Sequence, residues 1–155
     1  MRRQLDIQND QIYVYDYYNT RLKVWNLSGN CLKNKSFGSY WQGVGVAVSN
    51  AYVYISGWYH GFIRVLDKNL NQVKYYSGFT PYYGLYGIDV NSNGTKLVAA
   101  NYAKHQVAVF NISGQSLSLS QTFGSYGTGN SYFRNPTDAV FDSNGNIYVT
   151  DLYNH

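Results

Sequence analysis

The segment "IYVTDLYNH" (147–155) reads as a short strand, Ile147 to Thr150, running into Asp-Leu-Tyr-Asn-His. The same phrase occurs three more times, as "IYVYDYYNTRLKVWN" (12–26), "VYISGWYHGFIRVLD" (53–67) and "LVAANYAKHQVAVFN" (97–111). Their first residues, 12, 53, 97 and 147, are separated by 41, 44 and 50 positions. A second apolar run precedes each: "LDIQND" (5–10), "VGVAVSN" (44–50), "YGIDVNSNG" (86–94) and "TDAVFDSNG" (137–145). Each complete unit closes with an aromatic and glycine, in "LKNKSFG" (32–38), "QVKYYSG" (72–78) and "SLSQTFG" (118–124). Self-similarity at such a period marks an array in which each unit covers its neighbour.

Within a unit the local signals are those of strands. Runs of five or six residues rich in Val, Ile, Tyr and Phe are separated by "SNG", "LSGN", "DKNLN" and "ISGQ". β-Branched and aromatic residues suit a pleated surface, and the Asn-Gly and Ser-Gly pairs suit tight hairpins. Leu22 and Val24, like Val107 and Val109, alternate with polar neighbours, whereas "GVGVAV" has no polar side and suits a strand buried on both faces. No sustained helical period appears. The pattern predicts an all-β chain of four-stranded antiparallel units, the blades of a β-propeller. Blades are expected at about 4–38, 44–78 and 86–124, with a half-blade at 137–155.

These units resemble NHL repeats, which join a Pro-x-x-apolar start to "IYVxDxxNxR" and a terminal Phe-Gly. The stretch "NPTDAVFDSNGNIYVTDLYNH" (135–155) carries the resemblance best, followed by "IYVYDYYNTRLKVWNLSGN" with its "SFG". The middle units depart from it. Gly57 and Asn101 stand where Asp16 and Asp151 do, and His60 and Lys104 replace the Asn. The resemblance implies a fold and leaves activity open, because one scaffold hosts many functions. Some relatives of this kind are lyases with zinc in the central channel, but no matching histidine and tyrosine set is identified here.

Three and a half blades cannot close a ring, and a blade alone leaves an apolar face that only another blade covers. The expectation is that the chain is completed either by further copies of itself, as a ring or filament, or by the remainder of a longer propeller.

Composition narrows the classes. Among 155 residues, 13% are charged and 18% aromatic, including 18 tyrosines, which excludes a disordered tail or a charged helical rod. The net charge of +4 is spread along the chain and gives no basic stripe for nucleic acid. Cys31 is alone, so no intrachain disulfide forms. No apolar run reaches the roughly 18 residues of a membrane span, and "MRRQLDIQND" lacks the apolar stretch of a secretory signal. Low charge with many Tyr, Asn, Ser and Gly leans toward an extracellular or cell-surface setting, and Asn26, Asn34, Asn93 and Asn111 open glycosylation sequons.

Little points to catalysis. His60, His105 and His155 all fall in the turn between the second and third strands, so they distribute around the rim rather than converge on a metal. The Asp-x-x-Asn pairs Asp16/Asn19 and Asp151/Asn154 read as turn-holding residues rather than calcium ligands. The glycines of "FGSYGTGN" (123–130) precede a strand and lack a Gly-Lys-Ser/Thr ending, so they form no phosphate loop. No cofactor is expected, and the chain is read as a non-enzyme.

The aromatic residues carry the positive reading. In a propeller the loops leaving the outer strand and the turns after the second strand emerge on one face. That face gathers Tyr17, Tyr18, Tyr40, Trp41, Trp58, Tyr59, Tyr82, Tyr83, Tyr102, Tyr126, Tyr132 and Arg134. Tyr and Trp offer a rigid apolar body with a polar tip, suited to a protein or glycan surface. The alternatives are single-stranded RNA, for which Arg21, Lys104 and Arg134 are few phosphate-binding groups, and a fragment of a propeller lyase or lactonase.

Overall fold

A computed structural model describes residues 5–38, 42–59, 61–77 and 84–154. The expected binding residues Tyr40, Trp41, Tyr82 and Tyr83 lie outside them, as do His60 and His155. The described chain is all strand and turn. Blade 1 comprises β1 (Leu5–Gln8), β2 (Gln11–Asp16), β3 (Arg21–Asn26) and β4 (Cys31–Ser36). Blade 2 comprises β5 (Gly43–Val48), β6 (Tyr52–Gly57), β7 (Phe62–Asp67) and β8 (Gln72–Tyr76). Blade 3 comprises β9 (Leu85–Val90), β10 (Lys96–Asn101), β11 (Gln106–Ser113) and β12 (Ser116–Phe123). A two-stranded unit, β13 (Pro136–Phe141) with β14 (Ile147–Asp151), follows.

Every sheet is an antiparallel meander in chain order, and the innermost strands β1, β5, β9 and β13 lie side by side around an axis. Among the described residues the sheets do not close into a ring. The repeat extends to irregularities: each third-to-fourth-strand ladder slips at the same place, between Val24 and Trp25, Val65 and Leu66, and Val109 and Phe110. Such a bulge bends the outer strand and raises local twist. The first hairpins turn through Gly94 and Gly145, whose φ of +71° and +85° a β-carbon would disfavour, as the Ser-Asn-Gly signals require. Asp67 and Asp142 each accept two backbone N–H bonds within their turns, at 2.8–2.9 Å.

The core lies between blades rather than within them, since a single sheet has no interior. Tyr13, Tyr15, Leu22 and Val24 of blade 1 pack on Val46, Val48, Val53 and Ile55 of blade 2. Tyr54, Ile63 and Val65 on the other side of blade 2 meet Ile88, Leu97 and Phe110 of blade 3. Val98, Ala100, Val107 and Val109 then meet Ala139, Ile147 and Val149. Strand β5 is buried along its whole length, as its unbroken apolar run predicts. Each fully buried large side chain contributes about 1.5–3 kcal/mol, so an isolated blade would forfeit most of its stabilisation.

Two carboxylates reinforce the inner joints. Asp6 Oδ2 accepts from the Val48 N–H at 2.6 Å, and Asp89 Oδ2 from the Phe141 N–H at 2.7 Å, each across a blade boundary. Burial pushes both carboxyls above the ordinary 3.8, against the lowering effect of those backbone bonds.

Candidate functional site

The described ends of the outer-strand loops meet the second-strand turns through hydrogen bonds. The residue just before each of β5, β9 and β13 links two blades. The Gln42 carbonyl accepts from Trp58 N at 3.2 Å within blade 2, while its side-chain Oε1 accepts from the Tyr17 hydroxyl of blade 1 at 2.8 Å. Gly84 does the same with backbone alone, accepting from Tyr102 N at 3.2 Å and donating to the Trp58 carbonyl at 2.6 Å. The Asn135 carbonyl accepts from Leu152 N at 3.4 Å. Its backbone N–H donates to His105 Nδ1 at 3.0 Å, and its side-chain amide to the Tyr102 carbonyl at 3.0 Å. His105 is thus a joint between blades, with its ring also set against Tyr126 at 5.0 Å. Asn135 takes a positive φ of 61°, a conformation asparagine tolerates better than most residues.

The Asp-x-x-Asn pairs hold their turns. Asn19 donates to Asp16 Oδ2 at 2.8 Å, and Asn154 to Asp151 Oδ2 at 2.6 Å. Asp16 also meets Arg21 at 3.3 Å and Lys23 at 3.8 Å, and the Asn19 bond first, with Arg21 after it, holds its carboxyl below the ordinary 3.8. Where the repeat departs from Asp, the structure supplies a reason at each position. Asn101 Oδ1 accepts from Lys104 N at 3.3 Å and keeps the turn. Gly57 leaves room for the Phe62 ring, which a β-carbon would overlap. Among the described residues no three His, Cys, Asp or Glu side chains gather as metal ligands would.

Above these joints sits an aromatic cluster. Tyr86, on the inner strand β9, stacks on Tyr102 with ring centroids 4.7 Å apart. Burial pushes its phenol up to about 12; Tyr102, Tyr17 and Tyr153 add to the shift, and the Trp58 indole opposes it. One residue of each successive turn (Tyr17, Trp58, Tyr102, Tyr153) therefore bears on one phenol near the axis. Further out, Tyr18 is 75% exposed and stands edge-on to Tyr17, and Tyr59 lies beside Trp58. Tyr126 and Tyr132 are exposed, with the Arg134 guanidinium over the Tyr126 ring at 5.7 Å. Tyr17, Trp58 and Tyr102 are thus partly spent on architecture, while Tyr18, Tyr59, Tyr126 and Tyr132 are the more exposed of the set. Tyr86 and Tyr153 are members that strand-by-strand reading passes over; the aromatic immediately before "GID" is the only sequence hint of Tyr86. The sequon residues Asn34, Asn93 and Asn111 are exposed and Asn26 is half-buried.

Residues 133–155 match the family model of the NHL repeat. The chain is similar in structure to a streptogramin B lyase, at 12% identity and a TM-score of 0.69, covering 91% of this chain and 44% of that one. It is also similar to a functionally unknown protein from Desulfotomaculum acetoxidans DSM 771, at 14% identity and a TM-score of 0.75, covering 96% of this chain and 48% of that one. This chain spans less than half the length of either structure. No curated protein matches it in sequence. The class is therefore that of β-propellers, here with open ends. More particularly, its residues 133–155 are similar to the NHL repeat.

Proposed function

We propose that this polypeptide is a non-catalytic binding and assembly scaffold. Its two flanks are covered by further propeller blades, from another copy or from a longer protein, and its aromatic face recognises a protein or glycan surface. The observation that carries the reading is that positions buried at the joint between blades 1 and 2 are exposed at the flanks. Leu5 and Ile7 are 56% and 55% exposed, against 1% and 6% for their counterparts Val46 and Val48. At the other flank Val140 and Tyr148 are exposed, and β14 pairs on one side only. Faces and edges of this kind demand a partner. The exposure of Tyr18, Tyr59, Tyr126 and Tyr132 supports recognition on the loop face.

RNA binding is the weaker reading, because Arg21 is committed to Asp16 and Arg134 to the Tyr126 face. The likeness to a lyase at 12% identity supports a shared fold alone. Sedimentation of the purified chain tests the assembly. The expected result is a species heavier than 17.7 kDa that dissociates on dilution. A stable 17.7 kDa particle with one cooperative unfolding transition would sink it.

A further inference from the structure

The inner strands differ in one chemical respect that alternates from blade to blade. Ile7, Val48, Val90 and Phe141 hold one register position, opposite Ile12, Val53, Leu97 and Ile147 respectively. Asp6 accepts from two of these backbone N–H groups. It takes Ile7 of its own blade through Oδ1 at 2.7 Å and Val48 of blade 2 through Oδ2 at 2.6 Å. Asp89 repeats the arrangement with Val90 of its own blade and, at 2.7 Å, with Phe141 of the last unit. A carboxylate in blades 1 and 3 thus serves its own blade and the one after it. Blade 2 and the last unit carry Ala47 and Val140 at that position.

The internal joints are therefore of two kinds. Where blade 1 meets blade 2, and where blade 3 meets the last unit, a carboxylate crosses the boundary. Where blade 2 meets blade 3, Ala47 has no acceptor to send across, and Asp89 holds Val90 N–H from within blade 3. Ala47 and Tyr54 instead pack on Ile88 and Leu97.

The open flanks are the two halves of a joint of this second kind. The last unit presents Val140 and Tyr148 in the places of Ala47 and Tyr54, both exposed. Blade 1 presents exposed Leu5 and Ile7 in the places of Ile88 and Val90, with Ile7 N–H already held by its own Asp6. A carboxylate-bearing blade set before blade 1 would bury a second anion beside Asp6 with no inner N–H left for it. A blade lacking its own carboxylate, set after β13–β14, would leave its inner N–H unmatched. Each flank answers the requirement of the other.

We propose that the β13–β14 face of one chain docks head to tail on the β1–β2 face of a second copy, as blade 2 docks on blade 3. This rests on the assembly reading above and adds which partner and which pair of flanks meet.

Ile7→Lys and Val140→Lys each spoil one flank and leave the other intact, with Leu5→Lys and Tyr148→Lys as replacements should either fail to fold. All four side chains are exposed, so circular dichroism should show unchanged strand content. In analytical ultracentrifugation the unaltered chain is expected above 17.7 kDa and each variant alone at 17.7 kDa. An equimolar mixture of the two variants, well above the concentration at which the unaltered chain assembles, should form one species of twice that mass. Association of either variant alone, or a mixture that stays at 17.7 kDa, overturns the head-to-tail joint and leaves assembly of the unaltered chain standing. An unaltered chain that stays folded at 17.7 kDa overturns both.

Discussion

Tyr13 and Tyr148 hold the same position in the second strand of their blades, yet Tyr13 is 3% exposed and Tyr148 60%. Leu5 and Val46 differ in the same way on the opposite side of the sheet, at 56% and 1%. The residue types are alike, and what differs is whether another sheet stands against them. Burial here is a property of the joint. A sequence pattern that reads as core is therefore a statement about neighbours the local strand does not contain.

The sharpest way to break this contrast is to jam an internal joint. Gly87 on β9 approaches β13 so closely that a β-carbon would overlap the Asp138 carboxylate and lie 2.8 Å from Asp138 Cα. Backbone cannot yield as a side chain can. Gly87→Val is expected to cost about 3 kcal/mol or more and to detach β13–β14, seen as early loss of amide protection over 136–151 in hydrogen exchange. A smaller effect separates the two tyrosines. Tyr13→Ala should destabilise by about 3 kcal/mol, as a large buried ring removed from a packed joint, whereas Tyr148→Ala should stay within about 0.5 kcal/mol in the dissociated chain. Denaturant midpoints of both variants, measured below the concentration at which the chain associates, decide it. If the flank is a joint in waiting, Tyr148→Ala instead weakens association.

The smallest effect is with pH, and it distinguishes the inner carboxylates from the turn carboxylates. Burial raises Asp6 and Asp89, so the stability these groups contribute is present in acid and is lost as pH rises through their folded values. Asp16, Asp67 and Asp142 are held below 3.8 by bonds to Asn19, Asn71 and Asn146 respectively, so their contribution is present above 3.8 and lost as pH falls further. Thermal midpoints should therefore peak in mild acid, just above 3.8. Asp89→Asn should flatten the neutral limb and leave the acid limb in place.

The strands and blade order were legible because both rest on local signals: alternation in "RLKVWN", an unbroken apolar run in "GVGVAV" and Asn-Gly turns between them. The repeat did the rest, since four weak copies of one phrase reinforce one another. The departures at Gly57 and Asn101 were visible, but their causes were not. That Phe62 needs the space over Gly57 depends on pairing across the β6–β7 hairpin. The division of labour among the turn tyrosines was not legible. Which of them is bonded to Gln42 and which is exposed is fixed by loops from different blades meeting, and no period records that. A cavity lies between the first hairpins and was not legible at all, because turns from three separate blades build it.

The links beside the inner strands have a consequence for how such an array can be rearranged. Blade 1 is fastened to blade 2 by a phenol and a side-chain amide, blade 2 to blade 3 by peptide groups together with the Ser56 hydroxyl on the Tyr86 carbonyl and the Tyr76 hydroxyl on Leu117 N, and blade 3 to the last unit by an asparagine with an imidazole. Every fastening calls on side chains particular to its own pair of blades. Shuffled or permuted blades would consequently keep their pleats but meet ill-matched neighbours. The modules share an ancestry of shape, and yet each has come to fit one successor.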